Sequence, residues 1–155
     1  MKYNELPPAQ LPDATEITNS RDLPFKREQI FKAFENPERL ARWWGPNGFY
    51  STFEQFEFRP GGSWRHVMHG PDGKNYANVS VFASIVAPEQ VVVDHISSPK
   101  FCLTVTLQEL PKEKTRLVWR QRFETVEMRN EIAKFAVDCN EQNLDRLAAE
   151  VRSFV

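Results

Sequence analysis

The last thirty or so residues constrain the fold more than any other stretch. From Thr125 to Val155 the chain has neither Gly nor Pro, and apolar residues recur at Val126, Ile132, Ala133, Val137, Leu144, Leu147, Ala148 and Val151. Most of those steps are three, four or seven residues, the period of one helix face. Lys134, Asp138, Glu141, Asp145 and Arg152 fall largely off that face. At 1.5 Å per residue the helix spans roughly 40 Å, about the breadth of a small domain. A helix of that length needs a broad sheet to lie across, and the residues before it are expected to build one.

The chain in order supports this. Residues 1–14, with Pro7, Pro8 and Pro12, read as an extended arm ahead of a single domain from 15 to 155. Thr15 to Leu23 alternates as a first strand with Ile17 inward, and Pro24 stops it. Phe25 to Phe34 reads as a short helix with Ile30, Phe31 and Phe34 on one face. A second helix starts at Asn36-Pro37-Glu38 and ends at Gly45-Pro46. Six strands follow, at Ser51–Phe58, Ser63–His69, Tyr76–Ala87, Gln90–Ile96, Phe101–Leu110 and Thr115–Phe123. Gly, Pro, Asn, Asp and Ser or charged turn residues separate them. Strands joined by such short turns make an antiparallel meander. The expected class is therefore α+β: a curved sheet of about seven strands wrapped on the C-terminal helix, with two short helices after the first strand.

Composition narrows the function classes. A net charge of −1 gives no field that would draw nucleic acid or an anionic membrane. No apolar run approaches the roughly 20 residues that span a bilayer, and the N-terminus has no signal-like apolar region, so the default address is the cytoplasm. Cys102 and Cys139 lack ligand-like spacing and read as buried thiols. The excess is aromatic: twelve Phe, four Trp and three Tyr. Such side chains anchor cores and also line ligand pockets.

The ordered motifs resemble a known family. Arg21-Asp22-Leu23-Pro24, Asn36-Pro37-Glu38-Arg39-Leu40, Trp43-Trp44-Gly45-Pro46-Asn47-Gly48 and Arg59-Pro60-Gly61-Gly62-Ser63-Trp64-Arg65 occur in sequence. Gly70-Pro71-Asp72-Gly73, Thr115-Arg116-Leu117 and Glu141-Gln142-Asn143-Leu144-Asp145-Arg146-Leu147 follow. The chain is similar, from about Thr15 to Val155, to the START-like (SRPBCC) superfamily in the branch related to the activator of the heat-shock protein 90 ATPase. The resemblance implies a helix-grip fold with a cavity between helix and sheet. It implies no single chemistry, because members include small-ligand binders, cyclases or hydrolases and co-chaperone modules. One departure stands out: where the family commonly has Gly-Trp, this chain has Cys139-Asn140.

Alternation selects the residues expected to face that cavity. Trp64, His66 and Met68 share one strand face, opposite Arg65, Val67 and His69; the more apolar set should point inward. Trp119 and Gln121 lie with Leu117 and Phe123 on the inner face of the last strand, and His95 with Val91 and Val93 on another. Phe82 joins them from the long strand, and Phe135, Cys139 and Asn140 from the helix. Trp43 and Trp44 form a corner, one in the core and one at the mouth. A polar spot in an aromatic lining suits a small apolar or aromatic ligand, the leading function. The alternatives are a chaperone-ATPase-activating module, as the resemblance implies, or a cyclase/hydrolase-type enzyme using His66 or His95 as acid/base. His66 could pair with Glu54 or Glu57, but no nucleophile–base–orienter set is evident, so no catalytic residue and no cofactor are assigned. His66 and His69 point to opposite faces, so three converging metal ligands are not expected either. Neither a nucleic-acid nor a membrane partner is expected, and a homodimer stays open.

Overall fold

The computed structural model describes residues 13–155. The elements run β1 (Glu16–Leu23), α1 (Arg27–Glu35), α2 (Pro37–Trp43), β2 (Tyr50–Phe56), β3 (Ser63–His69), β4 (Asn75–Val86), β5 (Gln90–His95), β6 (Phe101–Leu110), β7 (Lys114–Phe123) and α3 (Val126–Phe154). The seven strands form one antiparallel curved sheet in the order β1-β7-β6-β5-β4-β3-β2, the expected meander with β1 added beside β7. The expected arm, residues 1–14, lies almost wholly outside the described residues. Among the described residues no helix is long and apolar enough to cross a membrane, and no group of three or more His, Cys, Asp or Glu is placed to hold a metal.

Local chemistry explains the helix boundaries. Asn36 precedes a proline and is extended, which ends α1. Its side chain then accepts the Arg39 amide at 3.1 Å, and Pro37 at the first helical position needs no hydrogen on its nitrogen. Thr125 caps α3 by accepting from the Met128 amide at 3.1 Å.

The sheet presents one apolar face. Leu117, Trp119 and Phe123 of β7, Leu103, Val105 and Leu107 of β6, and Val91 and Val93 of β5 are all buried and in cross-strand register. Two bulges break simple alternation. In β2 the register shifts between Phe53 and Gln55, so that Phe53 opposes His66 while Phe56 opposes Trp64. In β4 a shift between Phe82 and Ser84 lets Phe82 oppose Val93 and Ile85 oppose Val91. Each bulge turns two residues three apart onto the same inner face.

Helix α3 covers that face, most closely along β1 and β7, with α1 and α2 packed beside it. Its inner stripe is Ala136, Asn140, Asn143, Leu144, Leu147, Glu150 and Val151. Leu144, Leu147 and Val151 are fully buried. Val137, expected on this stripe, is 42% exposed at the level where the helix meets Asn19 of edge strand β1.

The dependence of the sheet on this stripe is measurable. Leu147→Ala should lower unfolding free energy by about 2–5 kcal/mol in urea denaturation, as for other fully buried leucines. A change under ~1 kcal/mol would mean that α3 is not the cover.

Candidate functional site

The inner face of β2, β3 and β4 carries a continuous aromatic cluster. Trp64 stacks on His66 (centroids 4.4 Å apart, planes 21°) and on Phe82 (5.7 Å, 4°). Phe53 touches both Trp64 and His66 at 5.6 Å. Trp44, from the end of α2, lies 4.9 Å from Trp64 and 5.4 Å from Trp119 of β7. Trp44 thus joins the two ends of the sheet's inner face. Trp43 is fully buried behind it, and its indole donates to the Ala33 carbonyl at 2.9 Å.

Within this cluster several polar atoms have no partner. Trp64 Nε1, Trp119 Nε1, Ser51 Oγ and both ring nitrogens of His66 are sealed from solvent and make no hydrogen bond within the protein. Ser51 opposes Met68 and so shares the His66 face. Buried polar groups are nearly always bonded, so this concentration is unusual. Burial, with a lesser contribution from nearby His95, pushes the His66 pKa down to about 4. Its imidazole is therefore neutral at pH 7, with one donor and one acceptor nitrogen.

His95 differs. Its Nδ1 lies 2.8 Å from the Pro99 carbonyl and its Nε2 2.6 Å from Asn78 Oδ1, while Phe101 stacks on the ring at 4.5 Å. Both nitrogens are occupied. A surface concavity of about 470 Å³ opens beside it, lined by Phe101, Phe123, Lys100 and Arg122 among others. A second, of about 610 Å³, lies between the start of α1 and the β6–β7 turn. Neither is lined by Trp64, His66 or Trp119.

A separate polar network ties α3 to the β1–β7 edge. Asn140 Nδ2 donates to Gln121 Oε1 (2.7 Å) and Asn19 Oδ1 (3.0 Å). Asn19 Nδ2 donates to Glu141 Oε2 (2.8 Å), and Arg21 bonds Glu141 and Asp145. The buried amides are thus paired with one another.

The segment 44–49 closes the cluster. Gly45 has φ +105°, a backbone conformation that side-chain-bearing residues rarely adopt, so the turn calls for glycine there. Arg146 of α3 donates to the carbonyls of Arg42, Trp44, Gly45, Pro46 and Phe49 at 2.7–3.5 Å. Burial lowers its pKa. Asn143 accepts from the Gly45 amide and Gln142 from the Asn47 amide.

The model of the family described as activator of Hsp90 ATPase homolog 1-like protein matches residues 24–152. The chain belongs to that family. Solved structures agree on its START-like fold. A solution structure from Arthrobacter aurescens is 24% identical, with TM-score 0.83, covering 92% of this chain and 90% of that one. A crystal structure from Nitrosomonas europaea is 16% identical, with TM-score 0.82, covering 92% and 97%. One from Rhodobacter sphaeroides is 22% identical, with TM-score 0.82, covering 92% and 96%. Among curated proteins none matches the sequence.

On this activator-like fold, most of the residues expected to face the interior do so. Trp64, His66, Phe82, His95, Trp119, Gln121 and Asn140 are buried, Trp43 lies in the core, and Trp44 and Met68 are half-buried at the cover. Phe135 does not: it is 61% exposed. It sits nine residues before the fully buried Leu144, two and a half turns, and therefore points away from the sheet. Cys139 is half-buried beside the stripe rather than on it, and burial raises its thiol pKa, which disfavours the thiolate. Alternation missed Phe53 and Phe56, whose signal was the three-residue spacing that a bulge accommodates. Alternation and helical repeat also set Asn19, Asn78 and Asn143 inward, where short polar side chains give no apolar signal of their own.

The depressed His66 pKa sets a pH dependence. The unfolded imidazole takes a proton below about 6.5, whereas the folded one resists until about 4. Folded stability is thus fully present above 6.5 and lost as pH falls toward 4. His66→Phe should remove ~2–3 kcal/mol of the stability lost between pH 7 and 4.5, read by urea denaturation at both pH values. Parallel losses in parent and variant would place His66 in a solvated setting.

Proposed function

We propose that this protein binds a small apolar or aromatic molecule between the inner face of the sheet and α3, as a carrier or sensor rather than as an enzyme. One observation carries the reading: five buried polar atoms without partners, on Ser51, Trp64, His66 and Trp119, gathered inside an aromatic lining. Leaving such atoms unpaired costs about 1–3 kcal/mol each, a cost that a core without a binding role would shed by using apolar side chains. Aromatic walls with a few polar groups are the composition of small-molecule sites. Binding without catalysis fits the same residues. His66 has no carboxylate to orient it, and both cysteines have thiol pKa values raised first by burial.

Neither surface concavity reaches Trp64, His66 or Trp119, so a ligand must enter by displacing a cover. Segment 44–49 suits that role, because polar groups of α3 rather than apolar packing hold much of it. Trp44, at its start, would leave the cluster as it lifts.

Thermal-shift screening with lipids, polyketides and aromatic compounds tests the proposal. A ligand at 100-fold excess over its Kd adds about 2.7 kcal/mol and should raise Tm by roughly 5–10 °C in a domain of this size. Tryptophan emission should change with the same concentration dependence. If no compound shifts Tm, and His66→Phe stabilises the protein with no other consequence, the interior is only a core.

A further inference from the structure

Resting on that reading, we propose which ligand chemistry the space selects: an uncharged, largely apolar molecule that presents a hydrogen-bond acceptor, such as a carbonyl oxygen, to the indole N–H groups of Trp64 and Trp119. Indole nitrogens only donate, so neither tryptophan can satisfy the other, and a pure hydrocarbon satisfies neither. Both rings pack against Trp44, with centroids 4.9 and 5.4 Å away, so both tryptophans belong to one aromatic cluster. Trp64 and Trp119 are 1% and 2% exposed, so bulk water does not serve them.

The other unpaired atoms do not reverse the balance. Neutral His66, stacked on Trp64, offers one donor and one acceptor, and the Ser51 hydroxyl offers both. Donors therefore exceed the acceptors that the site must satisfy. A hydroxyl on the same ligand could also be accommodated at His66, but the two indoles require an acceptor.

Charge is selected against because the arginines that tie β1, α2 and segment 44–49 to α3 are already engaged. Arg21 is bonded to Glu141 and Asp145, Arg42 to Glu150, and Arg146 to five main-chain carbonyls. A carboxylate brought against Trp64 and Trp119 would leave water without a countercharge.

Three probes of one shape decide the matter: naphthalene, 2-acetylnaphthalene and 2-naphthoate, titrated at pH 7.5 by calorimetry. The ketone should bind about tenfold more tightly than naphthalene, the value of one neutral hydrogen bond or slightly more. The carboxylate should bind at least ~10-fold more weakly than the ketone. Trp64→Phe and Trp119→Phe should erase the ketone's advantage and leave naphthalene affinity nearly unchanged. Should either variant fail to fold, the indole N–H resonances of the unaltered protein answer the same question: the ketone, not naphthalene, should shift those of Trp64 and Trp119 downfield. Naphthalene equal to the ketone would overturn the acceptor preference, and naphthoate tightest of the three would overturn the exclusion of charge, either while leaving apolar binding standing. Failure of all three probes, together with a negative thermal-shift screen, would overturn both.

Discussion

A sheet with one apolar face has to be covered, and here a single helix does most of the covering. The fully buried Leu144, Leu147 and Val151 of α3, flanked by α1 and α2, exclude water from the faces of β5, β6 and β7. Everything else follows from the geometry of that contact. The helix is closest to β1 and β7, and the faces of β2, β3 and β4 are filled instead by large rings from Trp44, Phe53, Phe56, Trp64 and Phe82. Flat aromatic side chains fill space at a distance from the helix that aliphatic ones would not reach, and they leave polar edges behind.

Those edges divide the interior into two kinds of polarity. Near α3 the amides of Asn19, Gln121 and Asn140 satisfy one another and continue to Glu141 and Arg21, so they act as fastening between helix and edge strand. Elsewhere in the interior, Trp64, Trp119 and His66 are buried and unpaired. The first group is structural because it is complete; the second has unused capacity. Asn140 faces the interior as its helical position requires, yet its amide hydrogens go to Asn19 and Gln121. A tryptophan in its place would strand both.

How much of this could be read from the sequence depended on which periodicity governed each segment. Period two placed Trp64 and His66 inward on β3 and Trp119 and Gln121 inward on β7, because neither strand carries a bulged residue of its own and β3 pairs with β4, as β7 with β6, in unbroken register. It did not resolve β2, where the Phe53–Phe56 spacing only makes sense once a bulge is allowed. Helical period placed Asn140, Leu144 and Leu147 together. Phe135 is apolar, but its angle on the helix sets it off the buried stripe. Which polar atoms would be left unpaired was not legible at all, since it depends on ring orientations set by contacts among four strands and a loop.

The fastening of segment 44–49 has a consequence for divergence. Arg146 grips main-chain carbonyls, and Asn143 and Gln142 receive main-chain amides, so the segment is addressed almost entirely through its backbone. Apart from Gly45 and Gly48, both held at positive φ, side chains there can change without breaking the bonds to α3. A lineage could therefore exchange the residue at the position of Trp44, and with it the roof of the interior, while keeping the same lock.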